Sequence, residues 1–452
     1  MTPKITKEDL VAKARKPAED ALIMHPYYHG KMQTIPRCII RNFDDFSIWY
    51  SPGVAEPCKA IKEDILKVYD YTNKWNTIAI VSDGTRVLGL GDVGPEAAMP
   101  VMEGKALLFK CLGGVDAVPI CLDTKDPHEI IKTVMILQPS YGGINLEDIS
   151  NPKCFHILDT LREECRIPVW HDDQQGTAAV TLAGVVNALK IVGKDKKKVR
   201  ITLVGAGAAN VAITRLLIED DFKPENMILV DSTGILSSKR RDIEEKQKEN
   251  PYKWDFAKRT NPDHITGGIA EALVGADMCI SASRSGPDTI KPEWLKKMAK
   301  NAIGFFCANP IPEIWPWDAK EAGVKIVATG RSDFPNQVNN SLGFPAIFRG
   351  TLDVRATTIT DEMCIAAAYE LAKYAEERGI SEDNIVPTMA DWDVYVREAV
   401  AVGMKAIEQG VARKRLTREE LYKTSEKIIQ DSHKTIDLLM KSGIIAPAPK
   451  GV

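Results

Sequence analysis

The sequence has no paired cysteine pattern. Its nine cysteines stand singly at 38, 58, 111, 121, 154, 165, 279, 307 and 364, an odd number without a C-x-x-C. This speaks against a disulfide framework and against a zinc knuckle. Charge of one sign is not in excess either: 59 Lys and Arg face 62 Asp and Glu, for a net charge of −3. That balance argues against a nucleic-acid or anionic-membrane partner. No apolar run approaches the roughly 18 residues of a membrane span. The N-terminal stretch MTPKITKEDLVAKARKPAED lacks an apolar core and carries several acids, unlike a signal or transit peptide. Internal repeats and low-complexity tracts are missing too. What is present is ordinary for a soluble, cytoplasmic protein: 452 residues, 44% hydrophobic and 27% charged. A chain of that length has room for two or three domains with real cores.

Residues 1 to about 75 read as mixed and mostly helical, with loops at HPYYHGK and YSPGVAEP. A strand–helix alternation then begins. Strands are expected at 77–82, 115–122, 142–147, 200–204, 227–230, 278–281, 302–306 and 325–328, several of them short continuous apolar runs of the kind buried in parallel sheets. Helical patterns at 127–137, 153–164, 177–192 and 208–219 lie between them. The alternation predicts an α/β fold with a largely parallel sheet. The polar segment VGKDKKKVR, 192–200, reads as a solvated junction between two α/β units. Helical periodicity and surface charge from about 407 to 443 predict C-terminal helices packed on the body.

ITLVGAGAANVAITRLLIED, 201–220, is an apolar strand, a glycine turn and a helix. Gly205 and Gly207 form a G-x-G start. The small residues Ala208 and Ala209 allow a pyrophosphate to approach the helix N-terminus, where free N–H groups favour an anion. Asn210 stands where a third glycine or alanine is usual, so looser helix–strand packing is expected there. The next strand ends in Asp231, an acid suited to an adenosine ribose. Asp231 inclines the reading to NAD. Lys239, Arg240 and Arg241 follow closely and could accommodate the extra phosphate of NADP.

Two acidic pairs stand out. Glu147–Asp148 ends the strand YGGINLED, and Asp172–Asp173 in VWHDDQQGTAAV lies at a strand end just before a helix. In a parallel sheet such ends share one lip, where α/β ligand sites form. Four carboxylates converging there need a cation, and oxygen-only ligands suit Mg²⁺ or Mn²⁺. Each pair alone also fits helix capping. His171, beside the second pair, reads as structural.

SPGVAEPCKAI, SDGTRVLGLGDVGPEAAMPVMEGKALLF, GGINLEDISNPKCFHIL, WHDDQQGTAAVTLAGVVNAL, VGAGAAN and FPNQVNNSLGFPAIFRGTLDVRA, taken together and in order, resemble the small, bacterial-type malic enzymes. The resemblance spans roughly 20 to 405. It implies oxidation of malate and decarboxylation to pyruvate and CO₂ with reduction of NAD or NADP, and decarboxylation of oxaloacetate as well. It implies a catalytic domain over 1–165, a Rossmann-like nucleotide domain over 166–405 and a helical extension over 406–452. By the same resemblance Glu147, Asp148 and Asp173 hold the divalent ion. Lys105 is the general base, its pKa expected to be lowered by burial and the cation, and Asp172 tunes it. Tyr50 is the general acid. Arg86, Asn309 and Asn340 contact malate or the nicotinamide region. Ile311 and Ala346 depart from the family pattern without replacing a proposed catalytic group. A homodimer or larger homo-oligomer is expected, with Tyr50 serving its own site or a neighbour's. The phosphotransacetylase-like domain of some larger relatives is not expected. A malolactic conversion with retained NAD is ranked low because such relatives are usually longer. An amino-acid dehydrogenase would not need the acids, and a dinucleotide- or malate-sensing module would be expected to lose them.

Overall fold

Short apolar runs, most of them four to six residues long and followed by a helix-forming stretch, build two separate sheets in the computed structural model, which describes residues 7–452 and the side chains of 16–452. The first sheet holds β1 (Thr77–Ser82), β2 (Asp116–Cys121), β3 (Gly143–Leu146) and β4 (Val169–His171), in the order β2-β1-β3-β4 and all parallel. The second holds β5 (Ile201–Val204), β6 (Met227–Asp231), β7 (Gly234–Ile235), β8 (Met278–Ser281), β9 (Ala302–Phe306) and β10 (Val324–Thr329), in the order β10-β9-β8-β5-β6-β7. Only the short hairpin strand β7 runs antiparallel in it. The expected α/β fold with largely parallel sheets is therefore the observed one. The first sheet draws β4 from beyond residue 165, so the change of sheet falls between His171 and Ile201.

The order of the second sheet reverses at β5, which pairs with β6 on one side and β8 on the other. A crevice opens at such a reversal, beyond the carboxyl ends of the strands. Gly205, which follows β5, has φ +100°, and a Cβ there would stand 2.6 Å from the Ala282 carbonyl after β8. Glycine is thus required by conformation and by space.

Helix Thr177–Val192 is apolar on nearly every face and buried for eleven of its sixteen residues, as a helix enclosed by others must be. It packs against Ala208–Glu219 and Asp361–Glu377 and ends at Gly193, a left-handed cap. The chain then returns to the first sheet through Phe344–Asp353, every residue of which is buried, followed by Asp393–Glu408 and the long Arg418–Lys441. Phe109, Phe344, Phe348 and Trp170 form an aromatic floor there, with neighbouring ring centroids 4.6–6.3 Å apart.

The N-terminal segment is different. Helices Lys7–Tyr28, Asp45–Trp49 and Ala55–Glu63 leave Leu22, Phe43, Tyr50 and Ile65 largely exposed, Phe43 at 89%.

Candidate active site

β3 and β4 lie side by side with Leu146 opposite His171, so the residues that follow them emerge together. Glu147 and Asp148 leave one strand and Asp172 and Asp173 the other, on one lip. One oxygen each from Glu147, Asp148 and Asp173 fall within 4.8 Å of one another. The Asp148 N–H donates to Asp173 Oδ2 at 2.9 Å. Asp148 Oδ2 is buried and accepts from no donor. Three converging oxygens, one of them unpartnered, fit a hard divalent cation. Burial and the Asp173 charge push the Asp148 carboxyl up to about 8. Burial, countered by Lys105 and reinforced by Asp173, raises Glu147 as well. These shifts express first the cost of burying carboxylates and then that of gathering like charges, which Lys105 offsets only in part.

Asp172 points the other way. A five-residue π-turn, Asp172–Gly176, carries it from β4 into the following helix. Its carboxylate folds over Gly176, where a Cβ would lie 2.0 Å from Oδ1. Trp170 Nε1 donates to Oδ1 at 3.2 Å, while Lys105 and the Asn340 amide donate to Oδ2. The four acids therefore overlap in two groups: Glu147, Asp148 and Asp173 face one another, and Asp172 and Glu147 both face a lysine.

Lys105 comes from helix Pro95–Gly113 and is buried, its ammonium 2.9 Å from Glu147 Oε1 and 4.2 Å from the Phe344 ring centroid. A lowered pKa was expected. The protein's own groups do the opposite: burial would lower it, but the charges of Asp172 and Glu147 outweigh burial and raise it. A base must release that proton, which becomes easier once a dication engages the neighbouring carboxylates. His171 is fully buried, 3.6 Å from Asp173, and burial holds its pKa below the ordinary value.

Arg86 sits on the exposed loop after β1. Its N–H donates to the Asp148 carbonyl at 2.9 Å, while its guanidinium turns back to the Leu88 carbonyl at 2.9 Å. Asn309 lies exposed beyond β9, facing Gly89 of the same glycine loop across the crevice: a Cβ on Gly89 would stand 3.1 Å from the Asn309 carbonyl. The Asn340 amide is engaged by Asp172. Tyr50 is 74% exposed.

At the glycine turn, Gly207 has open space above it and Ala208 begins the helix, with Ala209 in its first turn. The cradle fits a pyrophosphate. Asn210 does not loosen the packing as expected. It is fully buried, and its amide donates to the carbonyls of Val204 (2.7 Å) and Gly205 (2.9 Å), stapling strand, turn and helix. Sequence reasoning missed Glu313. This buried acid accepts from Ser281 Oγ (2.7 Å) and from the N–H groups of Ser283 (2.8 Å) and Ala308 (3.0 Å), and so ties the loops after β8 and β9 together next to Asn309. Its place in CANPIPEI, directly after Pro312, gave no sign of that.

A dinucleotide crevice beside a lysine and an oxygen-only acid cluster defines a class: a nicotinamide-dependent oxidoreductase that joins hydride transfer to metal-assisted chemistry. Residues 29–162 match the malic enzyme N-terminal domain, and 174–303 and 323–407 the malic enzyme NAD binding domain; the chain belongs to the malic enzyme family. It is 49% identical over 410 residues to the bifunctional malic/malolactic enzyme of Bacillus subtilis, an alignment covering 91% of this chain and 98% of that one. It is 51% identical over 385 residues to the NAD-dependent malic enzyme of Geobacillus stearothermophilus, covering 85% and 78%. The NADP-dependent malic enzyme of Halomonas elongata is 44% identical, covering 82% and 88%. Among solved structures, the malic enzyme of Entamoeba histolytica superposes with a TM-score of 0.95 at 47% identity, covering 99% of this chain and 93% of that one. That of Pyrococcus horikoshii gives 0.89 at 49%, covering 93% and 98%. The reaction of the family, oxidative decarboxylation of malate with a nicotinamide cofactor, is the activity of this chain. The Bacillus relative, whose name includes a malolactic activity, is matched along almost its whole length, so length does not set this chain apart from that relative.

Proposed function

We propose that this enzyme oxidises (S)-malate at C2 and releases CO₂ from the resulting ketoacid, using Lys105 as base, Tyr50 as acid and a divalent ion among Glu147, Asp148 and Asp173. The carrying observation is the gathering of the acids: three oxygens within 4.8 Å of one another, with Asp172 and Glu147 both beside the buried Lys105 ammonium. A Mg²⁺ or Mn²⁺ ion supplies Lewis acidity there, stabilising negative charge on the substrate oxygen. Lys105, once neutral, takes the C2 hydroxyl proton, and Asp172 and Glu147 hold its nitrogen in place. The buried aromatic floor keeps water from that nitrogen. Arg86 offers a guanidinium to a substrate carboxylate, which requires it to leave Leu88. Asn309 supplies an amide at the crevice. Asn340 orients Asp172. The Tyr50 phenol returns a proton to C3 after CO₂ leaves.

The exposed apolar N-terminal segment supports a homodimer in which a second copy covers Leu22, Phe43 and Ile65 and places Tyr50 near a lysine. Nine unpaired thiols support a cytoplasmic location.

The test is malate turnover with NAD and with NADP, each with and without EDTA. Reduced cofactor accumulates only without chelator and returns on adding Mg²⁺ or Mn²⁺. Lys105→Ala lowers malate oxidation by roughly two to four orders of magnitude while preserving the circular-dichroism spectrum. EDTA-resistant turnover, or a near-normal Lys105→Ala rate, refutes the assignment. Lactate formed without net reduced cofactor would point instead to malolactic conversion, the second activity in the Bacillus relative's name.

A further inference from the structure

Cations from separate segments of the chain gather around Tyr69, which lies on the short helix Val68–Tyr71 and is 6% exposed. Lys74 Nζ and Arg355 Cζ each stand 5.4 Å from its ring centroid. Arg413 ties the group together: Nη1 donates to the carbonyls of Arg355 (3.3 Å) and Ala356 (3.4 Å), and Nη2 to the carbonyl of Arg166. Burial, reinforced by the charges of Arg413 and Arg166, pushes the Lys74 ammonium down to about 8. Burial raises the Tyr69 phenol, against the pull of Arg413, Arg355 and Arg166. Among the described residues, Asp70 is the one acid in an ion pair with any of these cations. It reaches Arg355 and is itself 53% exposed. Lys74, Arg166, Arg355 and Arg413 thus share one paired carboxylate, and positive charge is left in excess.

Donors are left over as well. Lys74 spends its three on the carbonyls of Gln138, Pro139 and Tyr141, and so contributes charge alone. Arg355 gives Asp70 a single hydrogen bond. Arg166 is exposed, and the one hydrogen bond it donates comes from its main chain, to Gln138 Oε1 at 2.7 Å, so its guanidinium N–H groups are all free among the described residues. The Tyr69 hydroxyl, among three guanidinium charges, has no hydrogen-bond partner there either. The corner is remote from the catalytic lip. Lys74 leads into β1, and Arg166 comes three residues before β4. These are the amino ends of parallel strands, whereas the four acids leave the carboxyl ends. The six residues of β1 put about 20 Å between the two.

We propose that Arg166, Arg355 and Arg413, with the Tyr69 hydroxyl, form a binding site for a phosphoryl dianion at the end of the first sheet opposite the active site. Guanidinium forks match phosphoryl oxygens, two N–H groups at a time. A phosphoryl group has three terminal oxygens to divide among three arginines, whereas a carboxylate has two and leaves one arginine unserved. Lys74, held behind the ring by three carbonyls, deepens the positive field without touching the ligand. The group is shared by inorganic phosphate and by small phosphate esters.

Calorimetry on the full chain tests this, with NADH present to fill the nucleotide crevice and EDTA to remove divalent ions. Inorganic phosphate, glycerol 3-phosphate and malonate are titrated at constant ionic strength into the unaltered protein and into Arg166→Gln. One phosphoryl probe binds per chain, and Arg166→Gln weakens it about tenfold or more; the tighter of the two probes tells the free ion from an ester. Phosphate bound at the glycine turn or beside Arg86 is indifferent to Arg166, so the difference between the two proteins reports this corner alone. No binding of either phosphoryl probe at millimolar concentration overturns the proposal, as does an affinity that folded Arg166→Gln leaves unchanged. Malonate that binds as tightly as the phosphoryl probes, and loses as much in Arg166→Gln, overturns the choice of ligand.

Discussion

Glu398 lies fully buried on helix Asp393–Glu408, and neither of its carboxylate oxygens meets a donor. Oε1 approaches Gly343, at the end of the loop that carries Asn340. Burial, with Glu370 as a like charge, raises its pKa well above the ordinary value. An acid whose folded-state pKa is raised favours folding below its unfolded pKa, and that contribution is lost as pH climbs toward the folded value. Glu398→Met therefore stabilises the fold by about 1–3 kcal/mol at pH 8 and by less at pH 5, which shows as a raised melting temperature. Thermal denaturation of both proteins at the two pH values checks the sign, and a gain confined to pH 5 contradicts it. Other individual residues were readable beforehand. The four acids were legible as two pairs at strand ends, whereas Lys105 was singled out only by the family resemblance of the motif that carries it. The direction of the Lys105 shift was not, because it depends on which carboxylates stand 3 Å away.

At the scale of elements, helix Phe344–Asp353 ties the site to the body. Arg349 is fully buried, donates to the Asn76 side chain and pairs with Asp353 at 2.6 Å, and Asp353 accepts from Ser425 Oγ at 2.7 Å on helix Arg418–Lys441. Removing one partner of a buried pair strands the other charge. Arg349→Met thus costs about 3–5 kcal/mol of stability, read as a lowered denaturant midpoint; a change within about 0.5 kcal/mol would falsify the role given to this pair. Most strands of the two sheets were visible as apolar runs bounded by turns. The helix 344–353 was not picked out, since it opens on Phe-Pro and contains Gly350, residues that read as a turn. Asn210 is a related case. At the position of a usual glycine it reads as a defect, and only its two carbonyl partners make it a staple.

For the whole molecule, the unfinished feature is the N-terminal segment. A chain that exposes Leu22, Phe43 and Tyr50 to water needs a cover, and the proposed dimer supplies one. If Tyr50 serves the neighbour's lysine, mixing Tyr50→Phe with Lys105→Ala subunits restores part of the activity that each lacks alone. Activity that stays absent after verified subunit exchange restricts each tyrosine to its own chain. Light scattering reports the dimer independently.

The sequence by itself determined the alternation of strands and helices, the glycine turn, the acidic pairs and so the family, because each is local: periodicity, turn chemistry and residue type act over a few neighbours. Tertiary structure alone decided that Asp172 and Glu147 face the lysine while Asp173 faces the other acids, and that Tyr50 is left exposed. Those outcomes depend on which distant groups arrive within hydrogen-bonding reach, and that distance is set by packing between segments up to hundreds of residues apart in the chain.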